Sequence, residues 1–309
     1  MPNPRIVSTR WGAGRSRLRL AGAGLLAIFT AAGAVVMGAP APSGATPKAS
    51  GPVVVLSAGS LETIMKTAVE AGFHAATGDT VTDISGGSTG LAQDIKGGVH
   101  KADVFWSAAP TADKVLMGAA NGDWVSWYVE FATSTLVLGY NPKSTFAATI
   151  KTEPWWKVIT KPGFHLGRTN PVTDPKGRLA VDALKAAAAE YHDPALSAIV
   201  SKKTTIFTET SLVGRLQSGQ LDAGFFYAVE ASAAHFPTVP LTGVSEHASY
   251  TLTVVAKAPH PTTADLFITW MFSPAAKKLL AAHGLTELAK PELFGNASAV
   301  PASLRKVIG

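Results

Sequence analysis

Two consecutive strand-loop-helix units open the predicted folded region and constrain its fold more than any other feature. Val53 to Leu56 is a short β-branched run that leads into the loop Ser57-Ala58-Gly59-Ser60, and apolar residues then recur at helical spacing from Leu61. The pattern repeats at once over residues 80–95, around the loop Ser85-Gly86-Gly87-Ser88. Strands that alternate with helices in this way predict an α/β fold with a mostly parallel sheet.

The same alternation continues to the end of the chain. About 260 residues of it exceed what one hydrophobic core usually holds, so we expect two lobes. Strands are predicted at Ala102 to Trp106, Leu136 to Tyr140, Phe164 to Arg168, Thr204 to Phe207, Ala223 to Tyr227 and Tyr250 to Ala256. Helices are predicted through Leu116 and Met117 and at Arg178 to Tyr191, Leu212 to Gly219, Leu266 to Phe272 and Leu279 to Leu285, the last two packing the C-terminal end back on a core.

The N-terminal segment has the pattern of a secretory leader. Five arginines precede the unbroken apolar run Leu20 to Gly38, and small-residue exits follow at residues 39–41 and 43–45. We therefore predict a leader at residues 1–45 and a Pro/Gly/Ala/Ser-rich spacer at residues 46–52. The run of 19 residues is close to the roughly 20 that span a bilayer, so an uncleaved anchor stays open as the alternative. Either way the remainder is expected outside the cytoplasm, in the periplasm or at the cell surface.

Charge and cysteine content exclude several classes of function. The net charge is +6, but without the five leader arginines 22 basic residues face 21 acidic ones, which is too small a balance to attract nucleic acid. The chain has no cysteine. This excludes a lipid-modified cysteine, and with it a lipoprotein, and also a thiolate metal site and a cysteine nucleophile.

The two Ser/Gly loops suit a small oxyanion. The first turn of a helix leaves unpaired N–H groups and a partial positive charge, and serine hydroxyls add further donors. Ser60 and Ser88 would lie where open α/β sheets usually bind ligands, at the carboxyl ends of their strands. The alternative is that each serine only caps its own helix.

A hydrolase is the competing interpretation of the second loop. Residues 86–90 fit the G-x-S-x-G pattern of a nucleophile elbow, with Ser88 as the nucleophile. Asp174 or Asp222 could then supply the acid of a triad, but no histidine carries a distinguishing local signature. The histidines never fall within five residues of one another, which argues against a histidine metal site.

Two acids stand directly before predicted helices. Asp174 lies in Asn-Pro-Val-Thr-Asp-Pro-Lys-Gly at residues 170–177, and Glu209 lies in Thr-Glu-Thr-Ser at residues 208–211. Helix capping for Asp174 and a favourable first-turn position for Glu209 explain them without a ligand. Both could equally face one cleft, and the two interpretations stay open.

Six motifs in order resemble one family, from Val53 to Phe294. The chain is similar to the molybdate/tungstate-binding proteins of ABC importers, which are class II periplasmic-type substrate-binding proteins, and it resembles most the tungstate/molybdate branch. The motifs are SAGSL at residues 57–61, GGSTGLAQDI at 86–95, ADVFWSA at 102–108, WYVEFATSTLVLGYNPKS at 127–144, GRTNPVTDPKG at 167–177 and TETSLVGRLQSGQLDAGFFY at 208–227.

The resemblance implies a set of ligand-binding residues. In the branch, carboxylates add oxygens to the metal centre of the oxyanion and make it six-coordinate, a role that would here fall to Asp174 and Glu209. Lys176 and Arg178 depart from the branch, where Cys and Tyr are expected, and an added cation could change the affinity or admit another anion. The implied ligand-binding residues are Gly59, Ser60 and Ser88 from one lobe and Asp174, Pro175, Lys176, Glu209 and Tyr227 from the other.

The resulting prediction is a two-lobe periplasmic-binding-protein-like α/β fold with its ligand in the cleft between the lobes. We expect lobe 1 at residues 51–133 plus 238–309 and lobe 2 at residues 134–237. The ligand would be tungstate or molybdate, with no cofactor and no catalysis, and the monomeric receptor would deliver it to an ABC permease. A same-fold receptor for sulfate or ferric ion, and a serine hydrolase that uses Ser88, remain the alternatives.

Overall fold

The first two strand-loop-helix units form as predicted. The computed structural model describes residues 51–308, so the predicted leader and most of the predicted spacer lie outside the described part. Strand β1 (Pro52–Ala58) pairs in parallel with β2 (Thr80–Gly86) on one side and with β3 (Val104–Ser107) on the other. All three strands were predicted from the β-branched and apolar runs at these places.

The helical segment after β1 is interrupted by one π-helical turn. Helices α1 (Glu62–Ile64) and α2 (Glu70–Thr77) are joined by a π-helical segment at Met65–Val69. Gly78 ends α2 in the left-handed conformation that glycine adopts most readily. After β2, helix α3 (Ser88–Lys96) buries Leu91, Ala92 and Ile95, the residues whose spacing predicted it.

The middle of the sheet is antiparallel, so the prediction of a mostly parallel sheet is wrong there. Strand β4 (Trp127–Tyr140) pairs antiparallel with β9 (His247–Val254) up to Thr135, and then with β7 (Ala223–Tyr227) from Leu136 onward. Strand β9 also pairs antiparallel with β3. The change of partner along β4 falls beside the expected lobe boundary at residues 133–134, and the boundaries themselves stay a prediction.

The second half of the sheet returns to parallel pairing. Strand β5 (Leu166–Thr169) lies between β7 and the short strand β6 (Ile206–Phe207), parallel to both. Helix α7 (Pro175–Tyr191) follows β5 and helix α9 (Glu209–Gln217) follows β6. The strand order is therefore β2-β1-β3-β9-β4-β7-β5-β6.

The C-terminal helices pack back on the first unit, as predicted. Helices α11 (Pro261–Met271) and α12 (Pro274–Ala282) contribute to the large core cluster. Phe267 and Trp270 of α11 meet Phe73 of α2 with ring centroids 5.2 and 5.7 Å apart, in edge-to-face contact.

Some elements differ from the sequence prediction. The helix expected through Leu116 and Met117 ends at Lys114, and strand β10 (Thr286–Gly295), which pairs with β4, was not predicted. No helix among the described residues is both long and apolar enough to cross a bilayer. The remaining elements are α4 (Pro110–Lys114), α5 (Ala147–Thr152), α6 (Trp155–Val158), α8 (Pro194–Ser201), α10 (Ala228–Ala233), β8 (Thr238–Pro240), β10 (Thr286–Gly295) and α13 (Ala302–Ile308).

Candidate functional site

A cavity of about 460 Å³ lies where the parallel strands of both halves end. Gly59 and Gly87 reach it from the loops after β1 and β2, and Asp174 and Glu209 reach it from the segments after β5 and β6. These positions correspond to the carboxyl edges of parallel strands, where helix N-termini leave unpaired N–H donors. The repeated order of strand, loop and helix therefore brings both predicted acids and both predicted loops to this one cavity.

Direct hydrogen bonds join the two sides of this cavity. The Gly90 N–H in α3 donates to the carbonyl oxygen of Thr173, 2.9 Å away. The Thr210 hydroxyl donates to Glu62 Oε2 over 3.0 Å. The residues expected in lobe 1 are thus in direct contact with those expected in lobe 2.

Two glycines permit this close approach. A Cβ on Gly59 would lie 2.6 Å from Glu209 Cγ, and a Cβ on Gly87 would lie 2.3 Å from the carbonyl oxygen of Thr173. Real contacts are not that short, so any side chain at either position would force the two sides apart. Gly59 and Gly87 are therefore needed for the close approach of the two sides of the cavity.

Asp174 is the N-cap of α7. Its Oδ1 accepts a 2.8 Å hydrogen bond from the Lys176 N–H, and Pro175 occupies the first helical position, which it favours. Only 7% of Asp174 is exposed. Burial raises the pKa of its carboxyl well above the usual value, and the negative charge of Glu209 and a hydrogen bond with that carboxyl raise it further. Asp174 therefore holds a proton more readily than an ordinary aspartate.

Lys176 lies between two buried glutamates. Its Nζ is 2.5 Å from Glu209 Oε1 and 2.6 Å from Glu230 Oε2, and its side chain is 1% exposed. Burial alone would lower the pKa of Lys176, but the carboxylates of Glu209, Glu230 and Asp174 outweigh it and raise the pKa. The ammonium group is therefore charged inside the protein. The same burial raises the pKa of Glu230.

Two buried tyrosines complete this region. Tyr250 Oη and Ser60 Oγ are 3.0 Å apart, and the rings of Tyr227 and Tyr250 lie at a centroid distance of 6.2 Å. Burial, followed by the repulsion of Asp174, raises the pKa of the Tyr227 phenol well above its ordinary value. Tyr227 is thus a neutral hydroxyl that can donate a hydrogen bond.

Neither predicted serine caps its helix through its side chain. Ser88 is the first residue of α3, and its hydroxyl accepts a 3.0 Å hydrogen bond from the Ala108 N–H. The hydrolase interpretation finds no triad geometry in the described part of the chain. Asp222 Oδ2 faces His165 Nδ1 at 3.3 Å, and Asp103 Oδ2, not Ser88, is the partner of His260 Nδ1.

The predicted site residues divide into two groups. Gly59, Asp174 and Glu209 line the cavity directly. Ser60, Ser88, Pro175, Lys176 and Tyr227 are buried and are not among the described residues that line it. Sequence analysis missed Glu62, Thr173 and Glu230; of these, Glu230 carries the same signal as Glu209, an acid in the first turn of a helix that follows a strand.

Three buried polar atoms in this region have no hydrogen-bond partner within residues 51–308. They are Thr169 Oγ1, Tyr227 Oη and Glu230 Oε1, and Thr169 also lines the cavity. Buried polar atoms are nearly always paired, so unpaired ones mark places where a ligand or water is expected to bind. No cluster of three or more His, Cys, Asp or Glu side chains in the described chain is arranged to hold a metal ion.

Comparisons with known proteins agree on one family. The family model described as bacterial extracellular solute-binding protein matches residues 53–286. A Haloferax volcanii protein named putative ABC transporter molybdenum-binding protein is 32% identical over 218 residues, which cover 68% of each chain. The molybdate/tungstate-binding protein WtpA of Pyrococcus abyssi is 25% identical over 281 residues, covering 74% of this chain and 80% of its own.

A solved structure shows the same fold. The periplasmic molybdate-binding protein of Azotobacter vinelandii aligns with a TM-score of 0.62 at 20% identity, covering 76% of this chain and 98% of its own. At that identity the likeness concerns the fold, and it agrees with the predicted two-lobe α/β architecture.

Proposed function

Because the chain belongs to the bacterial extracellular solute-binding protein family, we propose that it is an exported receptor of an ABC importer that binds molybdate or tungstate. The ligand would lie in the cavity between Gly59 and Gly87 on one side and Asp174 and Glu209 on the other. The receptor closes on the oxyanion, delivers it unchanged to a membrane permease and needs no cofactor. The relatives named as molybdenum- and molybdate/tungstate-binding proteins support this choice of ligand.

One observation carries the proposal: both halves of the sheet bring helix N-termini and polar side chains to the same cavity. Helix N-termini with their free N–H groups are suited to small oxyanions. The neutral Tyr227 hydroxyl and the Ser60 and Ser88 hydroxyls are buried and do not line the cavity in this structure, so they would add donors only if the site rearranges around the ligand. Because Gly59 and Gly87 have no side chain, the two sides of the cavity can approach closely enough to contact a small ion from both directions.

The acids require a separate explanation, since carboxylates repel a dianion. Asp174 is protonated more readily than usual, so it can act as a hydrogen-bond donor to an oxyanion oxygen. Alternatively, Asp174 and Glu209 supply oxygens to the molybdenum or tungsten atom, which sulfate could not accept. Coordination of the metal atom would favour molybdate and tungstate over sulfate. Hydrogen-bond donation by Asp174 alone would also admit sulfate.

We propose that closure is a motion of residues 51–133 plus 238–309 against residues 134–237. Strand β4 crosses from one region to the other and changes partner between Thr135 and Leu136, which makes it the natural hinge. Export by the segment at residues 1–45 agrees with a family described as extracellular.

Calorimetric titration of the purified chain tests the proposal. We expect binding of tungstate and molybdate, much weaker binding of sulfate, and no competition from ferric ion. Asp174→Ala and Glu209→Ala should each weaken tungstate binding, since both residues line the cavity. Failure of the wild type to bind any oxyanion would refute the proposal.

Glu190→Gln is the matched control. Glu190 is an exposed acid on α7, the helix that Asp174 caps, and about 24 Å along that helix from the cavity. Its replacement also removes one negative charge from the same region of the chain, and it should leave tungstate affinity unchanged. If the control weakens binding as much as Asp174→Ala does, the cavity is not the binding site.

A further inference from the structure

Lys176 contacts three carboxyl groups at the candidate site. Its main-chain N–H donates to Asp174, and its ammonium group lies 2.5 Å from Glu209 and 2.6 Å from Glu230. The ammonium also lies 5.2 Å from the ring centroid of Phe226 and 5.9 Å from that of Tyr227. These aromatic faces are compatible with a positive charge at this place.

The cluster is adjacent to the cavity and so contributes to the potential a ligand meets. Glu209 and Asp174 line the cavity, while Glu230, which has one unpaired oxygen, lines a neighbouring pocket that shares Gly59 and Glu209 with it. Tyr227 and Tyr250, which also face this region, are neutral phenols. Glu62, a further acid that lines the cavity, is paired with Lys66. With every carboxyl ionised, three negative charges face one positive charge. A dianion would then meet a net charge of −2 from this cluster with Lys176 and −3 without it; when Asp174 holds its proton, which its burial favours, the two values are −1 and −2.

We propose that Lys176 is a specificity-determining positioning residue: its buried ammonium group cancels enough carboxylate charge for an acidic cleft to accept a dianionic oxyanion. It acts through Glu209 and Glu230 without lining the cavity itself. The inference rests on the proposed function. It extends the proposed function by assigning the capacity to bind an anion to the side chain of Lys176 and its partners Glu209 and Glu230.

An alternative is that Lys176 only holds the fold together. A buried charge whose partner is removed is strongly destabilising, so a simple replacement of Lys176 affects folding as well as binding. The two roles differ in what they predict for Glu230. If Lys176 acts through charge, removing the Glu230 charge leaves a less negative cleft and should strengthen oxyanion binding. If its role is structural, the same change loses an ion pair and should weaken binding or leave it unchanged.

The test compares tungstate affinity across three variants, each checked for folding by circular dichroism. Glu230→Gln keeps the shape of the side chain and should bind tungstate at least about threefold more tightly than the wild type. Lys176→Met should bind at least about tenfold more weakly. The double variant Lys176→Met with Glu230→Gln has the wild-type net charge and should recover most of that loss, even where the single Lys176→Met chain fails to fold.

Lys66→Met is the matched control, since Lys66 pairs with Glu62 beside the cavity but has a side chain 58% exposed. Water screens its charge, so the same loss of one cation should change the affinity less than about twofold. Weaker or unchanged binding by Glu230→Gln, or no recovery in the double variant, overturns the inference. If the wild type binds no oxyanion at all, the proposed function fails first and the inference with it.

Discussion

Gly87→Ala should leave the fold intact and weaken ligand binding, because the added methyl group would hold the two sides of the cavity apart. Gly87 has φ −64° and ψ 125°, a conformation open to alanine without strain. The new Cβ would lie 2.3 Å from the carbonyl oxygen of Thr173 and 2.9 Å from its carbonyl carbon. The conflict is with backbone atoms across the cavity, which cannot rotate away as a side-chain tip could.

The size of the effect follows from these distances. Ordinary contacts begin at about 3.4 Å, so Thr173 must retreat by about 1 Å. The 2.9 Å hydrogen bond from the Gly90 N–H to the same carbonyl would then lengthen to about 3.9 Å and break. Loss of that hydrogen bond should cost about 1 kcal/mol of binding free energy. Weaker contacts between the ligand and the displaced side of the cavity should add to this loss. We expect a total of about 1 to 3 kcal/mol, or about 5- to 150-fold in affinity.

Calorimetric titration with tungstate measures the effect on binding, and thermal unfolding of the same variants measures the effect on folding. Gly90→Ala is the matched control, because its Cβ would stand 3.6 Å from Thr173, an ordinary contact, within the same helix end. We expect Gly87→Ala to lose affinity at an unchanged melting temperature and Gly90→Ala to bind like the wild type. Wild-type affinity in Gly87→Ala would refute the reasoning, and so would an equal loss in both variants.

Two further predictions concern stability. Ser60→Ala leaves the buried Tyr250 hydroxyl without its partner and should lower the free energy of unfolding by about 1 to 3 kcal/mol in chemical denaturation, whereas the exposed Ser232→Ala should change it little. Burial raises the pKa of Asp113 from 3.8 to about 8, although the hydrogen bond from the Thr251 hydroxyl opposes this shift. Between about pH 4 and 8 the folded protein therefore keeps a proton that the unfolded chain releases. Stability should therefore fall as the pH rises from about 4 to 8. Asp113→Asn should make this fall shallower in denaturation curves measured across that range, while the buried Asp174 and Glu230 continue to contribute to it; an unchanged slope would contradict the assignment.

The parts of the fold set by local pattern were predictable. The runs before Ser57 and Ser85 are β-branched and are followed by apolar residues at helical spacing, so strand, loop and helix could be read directly. Strand β7 has the predicted bounds: Ala223 to Tyr227 is buried throughout and follows the polar residue Asp222. Each of these elements carries its own signal within about ten residues.

Elements that depend on a distant partner could not be predicted. Strand β10 contains charged residues and Pro291, lies largely exposed, and exists because it pairs with β4 more than 150 positions earlier. The predicted helix through Leu116 and Met117 gives way to an isolated bridge from Met117 to Val125. Antiparallel pairing in the middle of the sheet likewise depends on which strand returns to lie beside β4, and hydrophobic periodicity carries no information about that.

The candidate site illustrates the same limit and the physical reason for it. Sequence spacing places Lys176, Glu209 and Glu230 each in the first turn of a helix after a strand, but 33 positions separate the first pair and 54 separate Lys176 from Glu230. Only the sheet order β7-β5-β6 sets those three helix starts side by side. Two acids on the helix starts after the two flanking strands would make a poor anion site beside a dianion, whereas a lysine on the central strand's helix lies within reach of both. The charge that we propose to decide which ion the cleft accepts therefore depends on strand order, which the sequence motifs alone do not contain.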